Sequence, residues 1–240
     1  MDERRVLIVG SSDGIGLAVA RRLVSHGWLA SGISRSPSPL VASHYQHVIA
    51  DVSSAEYPAQ VQTLVHERGP FDACIYCAGI GRSFDVAHIE ADERVFAVNL
   101  TGALRTAREI LPPMVAAGRG HLIVLSSQAD ELVLTHAPSY SASKAAMSGY
   151  FEGIGLALRP KGVAVTNLRF GFVDTKMARA RYKPFCLTMA QPTRSSRSAH
   201  TPLAVSQALG HESVTTRHYA DENLAVLNEH QRAAAALAPN

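Results

Sequence analysis

The sequence has 240 residues, 47% of them hydrophobic, which excludes an intrinsically disordered chain. The formal net charge is only +3 and the basic residues are scattered, so the composition argues against a nucleic-acid-binding protein. Three cysteines do not make a disulfide framework, and neither a secretory signal nor a membrane-spanning apolar stretch is visible, so a cytoplasmic location is expected.

Strand-like and helix-like segments alternate along most of the chain. The continuous apolar run 6–9 predicts a buried parallel strand, and the helical periodicity of 15–26, ended by Gly27, predicts the first helix. Further strands are predicted at 29–34, 47–50, 73–76, 121–125 and 163–168, and further helices at 59–68, 93–117 and 140–158. This alternation predicts an α/β fold with a doubly wound parallel sheet, Rossmann-like, in three αβα layers.

The composition changes after about Ala190. Residues 192–202 are rich in Ser, Thr, Arg and Pro and have the character of a linker, and the rest is helix-like with an Ala-rich end. We therefore expect one α/β domain over residues 1–190 and a divergent tail of helix or coil over 191–240.

Cys74 and Cys77 have the CxxC spacing of metal and redox sites. They lie in a segment that is predicted to be a buried strand, where cysteine usually acts as a small hydrophobic residue. Because no second CxxC occurs, we predict no metal site.

Gly10, Gly14 and Gly16 form a GxxxGxG pattern between the first strand and the first helix. Glycine lets the backbone approach a pyrophosphate closely, and a helix N-terminus presents free N–H groups and a partial positive charge to it. The spacing differs from the GxGxxG fingerprint, but its place at the first crossover favours a nucleotide site over a merely tight turn.

The end of the second predicted strand bears on the choice between NAD and NADP. An acidic residue there would bind the ribose 2′-hydroxyl, whereas an arginine accommodates a 2′-phosphate. Ser34 and Arg35 occupy this place, so we predict NADP(H), with NAD as the alternative if Arg35 is only a solvated surface residue. After the third strand, Asp51 either accepts a hydrogen bond from adenine, with Val52 against the ring, or caps the next helix.

Tyr140 and Lys144 are four residues apart, on one face of a predicted helix. A nearby ammonium is expected to lower the pKa of a tyrosine from its usual value of about 10, although such pairs are also common on ordinary helices. Ser127 follows the fifth strand, at the sheet edge where ligands bind, and its hydroxyl can hydrogen-bond a carbonyl oxygen. Ser126 competes with it, because neighbours on a strand point to opposite faces.

Together these motifs resemble those of the short-chain dehydrogenases/reductases over residues 1 to about 187. The matching segments are 10–16, Asp51-Val52, Ala78-Gly79, Val98-Asn99-Leu100, Ser126-Ser127, 140–144 and 171–175. The resemblance implies that Ser127 rather than Ser126 is catalytic and that Tyr140 is the general acid/base. It also implies that Lys144 lowers the pKa of the tyrosine and holds the nicotinamide ribose, and that Asn99 holds a water of a proton relay.

The resemblance also implies which residues contact the cofactor. They are Gly10, Ser12, Asp13, Gly14, Ile15, Gly16, Ser34, Arg35, Asp51, Val52, Cys77, Ala78, Gly79, Tyr140, Lys144, Gly171, Val173 and Thr175. Two positions depart from the family pattern: Cys77 replaces an asparagine and Phe170 replaces a proline. Phe170 either covers the nicotinamide with its ring or packs in the core, and neither change removes a catalytic group.

The implied activity is hydride transfer between NADP(H) and a small-molecule carbonyl or alcohol substrate, in a chain that could form a homo-oligomer. The family's seventh strand is not evident, so we expect the sheet to lack it. The run 201–221, which contains His211 and Tyr219, instead resembles the C-terminal end of tyrosine recombinases. Two alternatives follow: a nucleotide-binding protein whose altered end impairs catalysis, and a DNA-binding module derived from a recombinase.

Overall fold

The computed structural model describes residues 3–171, 173 and 175–177. Several sequence predictions lie outside these residues: the tail 191–240, the loss of a seventh strand and the recombinase-like run. None of the helices in the described ranges is long and apolar enough to cross a membrane.

Six strands and five α-helices make up the described fold. The strands are β1 (Arg5–Val9), β2 (Leu29–Ser34), β3 (Tyr45–Ile49), β4 (Ala73–Tyr76), β5 (Gly120–Ser127) and β6 (Val163–Phe170). The helices are α1 (Gly14–Ser25), α2 (Tyr57–Arg68), α3 (Ala91–Phe96), α4 (Gly102–Ala117) and α5 (Pro138–Leu158). Gly27 follows α1 with a φ of 82°, as expected for a residue just past a helix end, and Pro138 opens α5 without losing a helical hydrogen bond.

All five strand pairings are parallel, in the order β3-β2-β1-β4-β5-β6. The predicted doubly wound, Rossmann-like sheet is therefore confirmed. The chain runs outward from β1 to β3 and then returns to place β4 on the other side of β1. This reversal is a topological switch point, and it opens a crevice at the carboxyl ends of β1 and β4, where ligands of such sheets bind.

The alternation of side chains along the strands divides the core into two layers. Leu7 and Val9 of β1 face a cluster that also contains apolar residues of α2, α4 and α5, whereas Val6 and Ile8 face α1. The two cysteines lie on opposite sides of the sheet, because Cys74 packs in the first cluster and Cys77 packs against the second. Within the described residues, no group of three or more His, Cys, Asp or Glu side chains is arranged to hold a metal.

The helix predicted at 93–117 is not uniform. Between α3 and α4 lies a π-helical turn, Ala97–Thr101, that widens the helix around the buried Asn99. Such turns insert one extra residue into an α-helix and often occur at functional sites. The prediction of a single regular helix is corrected accordingly, since its periodicity is interrupted at the position of Asn99.

Candidate active site

The glycine turn lies at the switch point and is closed by backbone contacts. Gly10 has a φ of 89°, and a Cβ there would come 2.6 Å from the backbone nitrogen of Ala78. A Cβ on Gly16 would collide with the carbonyl oxygen of Gly10. Both positions therefore require glycine to bring the start of α1 against the ends of β1 and β4.

Asp13 caps α1 by accepting a hydrogen bond of 2.7 Å from the backbone N–H of Gly14. Its carboxylate also pairs at 2.8 Å with Lys176, and the hydrogen bond from Lys176 is the main cause that lowers the pKa of Asp13. Thr175 lies 3.5 Å from the position of a Cβ on Gly14. Thr175 and Lys176, which follow β6, thus lie over the glycine turn, and their contact with a cofactor stays a prediction.

Four further members of that set lie in or next to the same turn or follow β6. Ser12 and Ile15 are half-buried in the turn, Gly171 directly follows β6, and Val173 is 6% exposed. Phe172 and Asp174 of the 171–175 motif lie outside the described residues. Phe170 is partly buried against the α1 cluster.

Ser34 and Arg35 form the outer wall of the crevice. The Ser34 hydroxyl donates to the carbonyl oxygen of Ser36 at 2.9 Å and lies 3.0 Å from Nε2 of His47. Arg35 is exposed, and its charge contributes to the lowered pKa of Asp51. The guanidinium is therefore exposed just past the end of β2, within electrostatic range of the Asp51 carboxylate.

His47 is a residue that the sequence reasoning missed. Its Nδ1 lies 2.9 Å from the Tyr45 hydroxyl, which donates at 3.0 Å to the Ser11 hydroxyl of the glycine turn. Its Nε2 is within hydrogen-bonding distance of the Ser34 hydroxyl and of the Ser36 carbonyl oxygen. One imidazole therefore connects the turn after β1 with the turn after β2. The two-residue spacing of Tyr45 and His47 on a strand was the available signal, because it puts both side chains on one face.

Asp51 does not cap α2, which begins after Glu56. Its Oδ1 instead accepts from the backbone N–H of Ser53 at 2.9 Å and from the Ser53 hydroxyl at 2.6 Å, which is the main cause of the lowered pKa of Asp51. The capping alternative is wrong, since the carboxylate closes a local turn before the helix starts. Val52 is buried against the position where Gly102 begins α4.

The segment after β4 forms the floor of the crevice. The backbone N–H of Cys77 bonds the carbonyl oxygen of Val9 at 2.8 Å, and burial raises the pKa of the Cys77 thiol to about 12. Ala78 touches the glycine turn. A Cβ on Gly79 would lie 3.7 Å from the Lys144 ammonium, so this glycine borders the Lys144 pocket.

Ser127 and Tyr140 are brought together at the end of β5. The Ser127 hydroxyl is close enough to the Tyr140 phenol to affect its pKa as a hydrogen-bonding neighbour, and the Ser127 oxygen accepts from the backbone N–H of Ala129 at 3.2 Å. Ser126 points the other way, to the Ser148 hydroxyl at 2.9 Å. The alternation along β5 therefore selects Ser127, the residue that the resemblance indicates.

Lys144 lies one helical turn after Tyr140 and is 5% exposed. Its ammonium donates to the carbonyl oxygen of Leu125 at 2.6 Å and lies 5.9 Å from the centre of the Tyr140 ring. Burial lowers the pKa of Lys144 to about 8, while the charge of the Asp130 carboxylate acts in the opposite direction. The lysine can therefore change its charge near neutral pH.

The pKa of Tyr140 departs from the sequence prediction. Burial raises the pKa of the phenol, the hydrogen bond from Ser127 opposes this, and the Asp130 carboxylate adds to the rise. The expected lowering by Lys144 is not seen. The physical reason is that removing the phenolate from water outweighs the stabilisation provided by its neighbours.

Asn99 is fully buried and uses its whole side-chain amide. Oδ1 accepts from the backbone N–H of Ile80 at 2.8 Å, and Nδ2 donates to the Ile80 carbonyl oxygen and to the Ser143 hydroxyl, both at 2.9 Å. The amide thus ties the segment after β4 to α5. A relay water at Asn99 stays a prediction, since these side-chain atoms already have protein partners.

The fold and the site define a doubly wound α/β protein with a glycine-lined crevice and a Ser–Tyr–Lys cluster at its carboxyl edge. The chain belongs to the short chain dehydrogenase family, whose family model matches residues 4–184. This is a family of oxidoreductases.

A curated relative and two solved structures illustrate the similarity. The 3-ketodihydrosphingosine reductase of Bacteroides thetaiotaomicron is 30% identical over 177 residues, which are 73% of this chain and 66% of that protein, so the chain spans just under two thirds of its length. Actinorhodin polyketide ketoreductase, solved as a variant with NADPH, has a TM-score of 0.69 and 29% identity, covering 77% of this chain and 76% of its own. A gluconate 5-dehydrogenase of Burkholderia cenocepacia, in complex with NADP and tartrate, has a TM-score of 0.68 and 27% identity, covering 75% of each chain.

Proposed function

We propose that this chain is an NADP(H)-preferring oxidoreductase that reduces a small-molecule carbonyl compound, or oxidises the corresponding alcohol, through Ser127, Tyr140, Lys144 and Asn99. The observation that carries the proposal is the convergence of three side chains at one corner of the crevice: Ser127 affects the pKa of Tyr140 as a hydrogen-bonding neighbour, and the buried Lys144 ammonium lies 5.9 Å from the centre of the Tyr140 ring. A hydroxyl pair of this kind can bind a carbonyl oxygen and give it a proton.

A nicotinamide nucleotide fits the crevice. Gly10 and Gly16 leave room for backbone to approach a pyrophosphate, and the N-terminus of α1 offers it unpaired N–H groups. Arg35, beside Ser34, would hold a 2′-phosphate, while Lys144 would hold the nicotinamide ribose. The NADPH and NADP named with the two similar structures support this choice, with NAD as the alternative.

The roles of the residues follow from their chemistry. When bound, the reduced cofactor supplies a hydride to the carbonyl carbon. Ser127 donates a hydrogen bond to the carbonyl oxygen as negative charge develops on it, and Tyr140 donates the proton that completes the alcohol. Lys144 supplies a positive charge beneath the phenol, and Asn99 holds α5 against the segment after β4.

A substrate panel tests the proposed function. Purified chain is mixed with NADPH or NADH and with ketoacyl thioesters, long-chain ketones and small sugar-acid ketones, and nucleotide oxidation is followed at 340 nm. We expect turnover with at least one carbonyl compound, faster with NADPH. Tight NADPH binding without turnover on any of them would instead favour the nucleotide-binding alternative, which the end of the family match at residue 184 keeps open.

The cofactor preference depends on the charge of Arg35. Changing Arg35 to Ala should raise the KM for NADPH by about 10- to 100-fold, the value of one charge-assisted hydrogen bond, and leave the KM for NADH nearly unchanged. Initial rates with both nucleotides measure this. Arg21→Ala is the matched control, since Arg21 is an exposed arginine on α1. Equal losses with both nucleotides would contradict a 2′-phosphate contact.

The pH dependence of carbonyl reduction should reflect Lys144. Because burial lowers its pKa to about 8, the ammonium is present below that pH and is lost above it, whereas Tyr140, with its raised pKa, keeps its proton. We expect kcat/KM for reduction to be constant on the acid side and to fall as the pH rises past about 8. A rate that stays flat to pH 10 would be inconsistent with a required Lys144 charge.

A further inference from the structure

A buried carboxylate lies behind the Ser127–Tyr140–Lys144 cluster and has no part in the mechanism above. Asp130 ends the short 3-10 turn Gln128–Asp130, which directly follows Ser127 and β5. Its side chain is only 1% exposed. A carboxylate so deeply buried is strongly destabilising unless other groups compensate its charge.

Three side chains from three elements provide that compensation. Arg169 of β6 places Nε 2.7 Å from Oδ2 of Asp130. The hydroxyl of Ser148, on α5, donates to the same oxygen, and the hydroxyl of Ser126, on β5, lies 3.3 Å from it. Asp130 therefore connects the strand that carries Ser127 with the helix that carries Tyr140 and Lys144.

The contact with Arg169 differs from the other ion pairs of that arginine. Arg169 also meets Glu131 at 2.8 Å and Glu152 at 3.0 Å, but these two carboxylates are 49% and 55% exposed. Water and salt screen exposed pairs, so they contribute little. The Asp130 carboxylate is the desolvated partner, and its charge acts through a medium of low polarity.

The same group acts on both titrating members of the site. The Ser126 hydroxyl that meets Asp130 also lies 3.4 Å from the carbonyl oxygen of Lys144. The Asp130 charge raises the pKa of Tyr140 and opposes the lowering of the pKa of Lys144. Among the described residues, the other charged or titratable groups at this corner are Cys77 after β4, Arg169 on β6, and Glu131 and Glu152 beside it.

We propose that Asp130 is a positioning residue for the hydride-transfer site. Arg169 anchors its carboxylate, which holds the turn after Ser127 against the part of α5 that follows Lys144. The carboxylate also places a buried negative charge behind the Tyr140–Lys144 pair. This inference rests on the proposed function. It assigns to Asp130 no contact with substrate or cofactor. Its effect on turnover is exerted through the two groups that it holds and polarises.

The test is the pH profile of carbonyl reduction by Asp130→Asn, which keeps the shape of the side chain and removes its charge. The fall in kcat/KM above about pH 8 should move to lower pH, by about 0.5 to 1 unit, because a charge that favours protonation of Lys144 has been removed. Glu131→Gln is the matched control, since it removes an exposed carboxylate from the same arginine, and its profile should overlie that of the parent. Arg169→Gln should move the fall to higher pH, because it leaves the Asp130 charge without its main partner.

Opposite shifts in Asp130→Asn and Arg169→Gln support the proposal, and either variant tests it if the other does not fold. A profile of Asp130→Asn that overlies that of Glu131→Gln would overturn it. So would a lower rate at every pH without movement of the alkaline fall, which indicates a structural role alone. The parent chain separates the two hypotheses: if it turns over no carbonyl compound, the proposed function fails, whereas an active parent with unshifted variants refutes only the role of Asp130.

Discussion

Replacing Tyr140 by Phe should lower kcat for carbonyl reduction by about 100- to 10,000-fold, the usual contribution of a positioned general acid. The change removes the hydroxyl that hydrogen-bonds Ser127 and keeps the ring beside Lys144. Binding of NADPH, followed by its fluorescence, should stay within a few-fold of the parent value, because the phenol oxygen is needed for proton transfer rather than for folding of the crevice.

Tyr150→Phe is the matched control for this prediction. Tyr150 lies on the same helix but is 48% exposed, so the loss of its hydroxyl should leave kcat unchanged. Retention of more than a tenth of the parent activity in Tyr140→Phe would remove Tyr140 from the role of general acid. An equal loss in both variants would point to a general effect on α5.

Gly16→Ala should abolish cofactor binding and destabilise the protein. The added methyl group would collide with the carbonyl oxygen of Gly10. That oxygen belongs to backbone that is fixed by the β1–α1 turn, so it cannot move aside as the end of a flexible side chain would. Overpacking of this kind costs about 2 to 4 kcal/mol, which should lower Tm by roughly 5 to 15 °C in a protein of this size. Thermal unfolding and NADPH titration measure the two effects.

Gly153→Ala provides the comparison, because a Cβ at Gly153 on α5 meets nothing within 4 Å. The same chemical change should there stabilise the helix by up to about 1 kcal/mol. If Gly16→Ala unfolds at the same temperature as the parent and binds NADPH normally, the glycine turn does not bind the cofactor pyrophosphate.

The strand predictions succeeded where the sequence itself marks both ends. The segments 29–34 and 73–76 match β2 and β4 at each end, because turn-forming or polar residues stand on both sides of each segment. β5 and β6 extend further than 121–125 and 163–168, to Ser127 and Phe170. These last residues are held in the sheet by pairing between the two strands, with Ser126 opposite Arg169. The sequence of either strand alone does not reveal its pairing partner.

The candidate site, like the strands, could be predicted from the sequence only in part. Local spacing and the family resemblance indicated Ser127, Tyr140, Lys144 and the glycine turn, and the structure brings the three side chains together. Asp130 and Arg169 could not be paired from the sequence, because they lie on different elements that meet only in the folded sheet. The raised pKa of Tyr140 was equally out of reach, since it depends on how much water the folded site excludes.

The π-helical turn Ala97–Thr101 also limits how this chain can change by insertion or deletion. The turn holds one residue more than the α-helix on either side of it, so deleting one residue here would convert it to regular α-helix and leave α4 in its place. Ala107, Ile110 and Met114 would then stay in the core, whereas the contact between Asn99 and Ile80 would be lost. The length of this turn is therefore set by the active-site floor rather than by the core.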